Sequence, residues 1–205
     1  MRTANVRNGV EAVCFLGAIL LIIGMVRCAS GAEMKAPPLG SVLPDFALKD
    51  FNGQERSLAS CKGKAVVLDF CSQECPYSRG VDEALIELAN TYADQGVVFL
   101  GVDSHKSTTP EQIKQYATEK KVPFPILKDG NNTYADAVGA TRTPEFYILD
   151  KDLKLVYHGA FDDRKVPEKR GETNYVRNAL DDVLGGKPVR TPQVDAWGCT
   201  IKRAK

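Results

Sequence analysis

The sequence predicts an α/β fold with a mixed central sheet flanked by helices. Two observations carry this reading. The runs 65–70 and 97–102 are short, rich in β-branched residues and almost wholly apolar, as strands buried on both faces are. Between them Val81, Leu85, Leu88 and Tyr92 recur at helical spacing, giving a strand–helix–strand unit whose crossover should be right-handed. Further helical and extended segments alternate after it, which is the pattern of a layered α/β domain.

In chain order, the first segment is of a different material. Arg2 and Arg7 precede an apolar run from 12 to 26, and small residues ending Ser30-Gly31-Ala32 follow. That is the layout of a secretory signal, expected to be cleaved near Ala29 or Ala32. The run is short for a bilayer span, which needs about 20 residues, so an uncleaved anchor is the alternative. Arg27 makes Cys28 a poor fit to a lipid-modified cysteine. The chain is therefore expected to be exported, periplasmic or extracellular, touching a membrane only through an uncleaved N-terminus.

Residues 33–43, rich in Pro, Gly and Ala, read as a linker, and 44–186 as the folded domain. Phe46 and Leu48 alternate ahead of Asn52-Gly53, a hairpin signal. Pro76 suits the first position of the helix that runs to Gly96. Thr109-Pro110-Glu111-Gln112 has the makings of a capping box for a second helix ending near Lys120. A strand at 125–127, a brief helix at 134–138, paired strands at 146–149 and 155–158, and a helix over 174–184 stopped by Gly185-Gly186 complete the domain. A basic tail, 187–205, carries Cys199.

The 27 basic residues nearly balance 26 acidic ones, for a net charge of +1, so no global field draws nucleic acid or an anionic surface. Chemistry is expected from cysteine. Of six, Cys14 and Cys28 fall in the signal; Cys61, Cys71, Cys75 and Cys199 remain, in a compartment where disulfides persist. Spacing leaves their pairing open. Cys75 sits where the buried strand gives way to the helix, and unpaired N–H groups with the helix dipole favour a thiolate there. Arg79 would add to this effect and Glu74 oppose it. A buried structural thiol is the competing reading of the same residue.

The segment Val66-Val-Leu-Asp-Phe-Cys-Ser-Gln-Glu-Cys-Pro-Tyr-Ser78 resembles the strand-to-active-site segment of the thioredoxin superfamily. Together with Cys75-Pro76, Phe124–Asp129, Thr141–Glu145, Gly159–Arg164 and Gly198-Cys199, it is similar to exported redoxins related to peroxiredoxins of the alkyl-hydroperoxide-reductase and thiol-specific-antioxidant type. The similarity covers 39–201. It implies a thioredoxin fold, Cys75 as the attacking cysteine, Asp69 as a partly buried proton acceptor, and Thr143-Pro144 as a cis-proline loop that, with Pro76 and Arg142, meets substrate. It implies no cofactor and no resident metal. Partners would be a protein disulfide or a hydroperoxide as substrate and a thiol as reductant. Ser78 stands where a second cysteine of a C-x-x-C pair would be. Ser72 matches the peroxiredoxin hydroxyl position, but Leu68 replaces that group's proline and Arg142 is out of register with its arginine.

The second sulfur then comes from elsewhere. Cys199 is favoured through the Gly198-Cys199 resemblance, helped by Trp197 and Ile201, whose apolar surface gives the tail a reason to pack. Cys71 is the alternative, and a static Cys61–Cys199 staple the bland one. Cys71-x-x-x-Cys75-Pro76 also resembles the motif of copper chaperones that assist cytochrome oxidase, although His105 and His158, expected at the surface or at strand ends, do not stand where that family carries its ligand. A redoxin-fold interaction protein without turnover is the third class. Asn131-Asn132-Thr133 matches a glycosylation acceptor and carries no weight here.

Overall fold

The computed structural model describes residues 35–204, so the expected signal segment lies outside the described residues. Seven strands form one sheet: β1 (Ala47–Asp50), β2 (Glu55–Ser57), β3 (Ala65–Cys71), β4 (Val97–Asp103), β5 (Ile126–Lys128), β7 (Glu145–Leu149) and β8 (Leu155–Gly159). Their order is β2-β1-β5-β4-β3-β7-β8. β3, β4 and β5 run parallel, while β1 and β7 add antiparallel neighbours, making the sheet mixed. Two further strands of two residues each, β6 (Arg142–Thr143) and β9 (Cys199–Thr200), pair with one another outside the sheet. The helices are α1 (Pro76–Tyr92), α2 (Pro110–Lys120), α3 (Thr133–Val138) and α4 (Tyr175–Leu184).

Strand β3 is central, and all its residues but Cys71 are buried because both faces are covered. Val67 packs under Val81, Leu85 and Leu88 of α1 and Val176 and Leu180 of α4. Val66, Leu68 and Phe70 face the opposite core, with Tyr134 and Val138 of α3 and, from the tail, Ile201. The capping box of α2 forms as its sequence directs: Gln112 N–H donates to Thr109 Oγ1 at 3.3 Å, and Gln112 Oε1 accepts from Thr109 N–H at 2.9 Å.

Two stretches do more than their composition suggests. Within the expected linker, Gly40 N–H donates to Leu155 O and Leu155 N–H to Ser41 O, and Leu43 is 3% exposed, so its second half edges β8. The tail crosses the molecule. Val194 N–H donates to His158 O, and a β-carbon on Gly159, whose φ is +140°, would come within 1.8 Å of Val194 O. Farther along, Ile201 N–H donates to Thr141 O and its side chain is 3% exposed.

Ile201 is thus the apolar peg of the final segment. Ile201→Ala, a change that costs about 2–5 kcal/mol where a side chain is fully buried, is expected to accelerate amide hydrogen exchange at Ile201 while leaving the β3 and β4 amides at wild-type protection. Uniform acceleration through the sheet would show that the tail is not a separately held unit.

Candidate active site

The carboxyl end of β3 and the start of α1 build the site. Ser72 Oγ accepts the Glu74 N–H at 3.2 Å and Cys75 N–H donates to Ser72 O at 3.0 Å, which folds the short turn. Cys75 is the N-cap of α1 in extended conformation, with Pro76 taking the first helical position. Its sulfur therefore lies at the positive end of a helix of 17 residues. Across from it, the peptide bond Thr143–Pro144 is cis, as the resemblance implies.

Two groups converge on the Cys75 sulfur. Its thiol donates to the Thr143 carbonyl at 2.9 Å, and its sulfur lies 2.7 Å from Cys199 Sγ. The two sulfurs, both free, are thus brought inside van der Waals separation, within easy reach of the roughly 2.05 Å at which a disulfide would join them. The β6–β9 ladder, which pairs Thr143 with Cys199, sets that contact. Cys75 is 1% exposed and Cys199 half-buried.

The environment separates the two thiols electrostatically. Burial pushes Cys75 up, but hydrogen bonds from the Cys199 thiol and the Ser78 backbone N–H outweigh it, and the net displacement is below an ordinary thiol. Cys199 moves the other way, pushed up to about 11 by burial and by donating to Cys75. Ionisation thus falls on Cys75, with Cys199 holding the proton. Arg79 was expected to assist; its guanidinium instead donates to the Gln73 carbonyl at 2.9 Å.

Asp69 is 5% exposed within β3, and one carboxylate oxygen has no hydrogen-bond partner among the described residues. Burial, then the Asp82 charge, drives its carboxyl well above the usual range. It lines a cavity of about 30 Å³ with Cys71, Ser78, Asp82 and Tyr116, room for about one water molecule. Tyr116 donates to Asp82 there. Cys71 turns its sulfur over Gly101, where a β-carbon would lie 3.2 Å away, and packs beside Ile113 and Ile126. The contact that forms is therefore Cys75–Cys199, and no Cys71–Cys75 contact is made. Cys61 is buried ahead of β3, at the strand's opposite end, which removes the basis for a Cys61–Cys199 staple. Among the described residues no group of three metal-ligating side chains is assembled, so the copper motif has no completed donor set there.

Arg142 is exposed and donates to the Gly198 carbonyl at 3.3 Å, bracing the tail. Of the two histidines, His105 departs from the expected surface or strand-end position, while His158, next to last in β8 and half-buried, keeps to it. His105 is 1% exposed, and burial lowers its pKa. His158 sits within β8 and reaches Glu145 Oε1 at 2.7 Å. Glu145 is the residue that sequence reasoning passed over. Only 2% exposed, it accepts the Thr141 and Arg142 N–H groups, both at 2.8 Å, and so pins the loop that presents Thr143. A carboxylate opening an otherwise apolar strand was the available signal.

A thioredoxin fold that brings two cysteines into contact at a helix N-terminus beside a cis-proline defines a class: the protein is a thiol-dependent oxidoreductase. Comparison supports this. The thiol-disulfide oxidoreductase ResA of Geobacillus thermodenitrificans (strain NG80-2) is 31% identical over 130 residues, 60% of this chain and 70% of that protein. The thioredoxin-like protein YneN of Bacillus subtilis (strain 168) is 30% identical over 132 residues, 63% of this chain and 77% of that protein. The crystal structure of an uncharacterized conserved protein from Geobacillus kaustophilus superposes with a TM-score of 0.77 at 38% identity, covering 82% of this chain and 93% of that one. The AhpC/TSA family model matches residues 39–158, and the chain belongs to that family.

The hydrogen bond between the thiols predicts a linked titration. Followed by thiolate ultraviolet absorbance, the first ionisation of the reduced protein is expected below that of a free cysteine, and Cys199→Ala is expected to move it upward. No movement would place the origin of the shift elsewhere. For Asp69 the folded pKa is raised, so its contribution to stability is present at acid pH and lost as pH rises through that value. Asp69→Asn is accordingly expected to raise the denaturation midpoint at neutral pH and to leave it little changed in acid.

Proposed function

We propose that Cys75 and Cys199 form the redox pair of this oxidoreductase, cycling between the thiol state and an intramolecular disulfide. The 2.7 Å contact between their sulfurs, at the start of α1, carries this reading. The thiolate is the nucleophile of such chemistry, and Cys75 is the group whose surroundings favour it. With a hydroperoxide, Cys75 attacks the terminal oxygen, the O–O bond breaks, and an alcohol leaves as Cys75 becomes a sulfenic acid. Cys199 then displaces water to close the disulfide. With a disulfide, Cys75 attacks one sulfur and expels the other as a thiol, after which Cys199 resolves the mixed disulfide.

Asp69 serves as proton acceptor during these exchanges, through the water-sized cavity beside Ser78. Pro76 begins the helix that orients Cys75; Thr143 and Pro144 supply the carbonyl and the wall opposite it; Arg142 borders the entrance. The reductant is a thiol. The signal reading of 1–32 supports export to the periplasm or extracellular space, with the domain and its Cys199-bearing tail acting there, anchored only if the segment is retained. No helix among the described residues is long and apolar enough to cross a membrane.

Peroxide consumption and disulfide reduction measured in parallel, with single serine replacements of Cys61, Cys71, Cys75 and Cys199, test the proposal. Cys75→Ser is expected to lose either activity by on the order of 10³-fold or more, as loss of a covalent nucleophile does. Cys199→Ser should stall after a single turnover with Cys75 oxidised, while Cys61→Ser and Cys71→Ser stay near wild type. Sustained turnover by Cys199→Ser, or a stall in Cys71→Ser, would reassign the second sulfur. The activity that survives in the wild type decides between hydroperoxide and disulfide.

A further inference from the structure

The backbone of Arg142 and Thr143, just before the cis-proline, is a strand edge whose Thr143 carbonyl faces the Cys75 sulfur. Here that edge is taken. Thr143 and Arg142 pair with Cys199 and Thr200 of the same chain. The fit leaves no slack: Gly198 has φ +121°, and a β-carbon there would fall 2.2 Å from the Thr143 carbonyl oxygen. The filling strand is anchored on both sides. Before it, Trp197 Nε1 donates to Asp162 O at 2.8 Å, and its ring packs 5.4 Å from that of Tyr77. After it come the buried Ile201, the Lys202–Glu74 ion pair at 2.8 Å, Lys106 N–H donating to Lys202 O, and Arg203 on Asp136 and the Ala140 carbonyl.

We propose that residues 198–200 act as a built-in substrate strand, so that the thiol reductant adds no strand at Thr143 and exchanges at the sulfur of Cys199. The inference rests on Cys75 and Cys199 being the redox pair. Its geometry is the contrast between a Cys75 that is 1% exposed and a Cys199 that is half-buried, on a strand whose other neighbours hold it in place. The partner that fits is a small thiol, or a protein thiol presented on a projecting loop, and not an extended peptide.

Written out, a partner thiolate attacks Cys199 Sγ of the oxidised pair. The Cys75–Cys199 bond breaks, the partner–Cys199 disulfide forms, and Cys75 departs as a thiolate held by the Ser78 N–H. A second thiolate of the partner then attacks the partner's own bonded sulfur, forming the partner disulfide and releasing Cys199, which takes up a proton. Two electrons pass from partner to protein. The order suits the chemistry, because the sulfur with the lower pKa leaves faster.

The test uses the wild-type protein, oxidised and mapped first. If no Cys75–Cys199 disulfide is found, the redox pair itself fails. If it is found, brief exposure to reduced glutathione, an acid quench, alkylation and peptide mapping locate the glutathione adduct. The expected result is an excess of about tenfold or more on Cys199 with Cys75 alkylated, following the leaving-group order. Adduct on Cys75, or on both in like amounts, overturns the proposal. Gly198→Ala, which drives a methyl group into the Thr143 carbonyl, is expected to bring a substantial share of the adduct to Cys75. An unchanged distribution in that variant would show that tail docking is not what shields Cys75.

Discussion

The arrangement depends on one constraint: a sulfur that ionises more readily than an ordinary thiol is kept almost out of water at the start of a helix. Burial alone would forbid it, since desolvation is the largest influence on the Cys75 thiol and acts against ionisation. Donors aimed at the sulfur reverse the outcome, and they come from different parts of the chain. Ser78 N–H is supplied by the first turn of α1, which has no intrahelical acceptor for it. The Cys199 thiol is supplied from 124 residues away. The helix could be built without the tail, but the sulfur would then lose its strongest donor.

That dependence explains why the tail is held so firmly. A thiol donor is useful only within hydrogen-bond reach, and an unanchored C-terminal segment would seldom occupy such a position against its own conformational entropy. The loop facing it is fixed too, by Glu145. This carboxylate is tolerable in the interior because two backbone N–H groups, the Tyr147 hydroxyl and His158 satisfy it. These hydrogen bonds, led by that to His158, hold its pKa down against burial. The loop is therefore pinned from behind by an ion and from the front by a strand.

Much of this was legible in the sequence wherever the signal is local. The buried runs gave β3 and β4 to within a residue, and Thr109 and Gln112 formed the cap their spacing specifies, because each depends on neighbours a few positions away. Cys75 at a strand–helix junction was readable for the same reason. What was hidden is non-local. β6 and β9 have two residues apiece, too few for any periodicity, and exist only because each finds the other. Arg79 was expected beside the thiol on helical spacing, yet rotamer choice sent it to Gln73. His105 reads as a surface or strand-end residue by frequency, yet it is buried, its neighbour Lys106 hydrogen-bonded to Lys202 of the remote tail.

Asp69 and Asp82 show the opposite economy. Glu145 is fully provided with partners, whereas Asp69 is buried with an oxygen that none of the described residues satisfies, and Asp82 nearby raises its pKa further. A structural acid would be expected to recruit donors as Glu145 does; one held in an apolar strand without them weakens the fold at neutral pH, where ionisation is resisted. Asparagine or an apolar residue would fill the same space at lower cost. What is left to Asp69 is the water-sized cavity it lines beside Ser78 and Asp82, so the partner its free oxygen lacks among the described residues is one that solvent can supply.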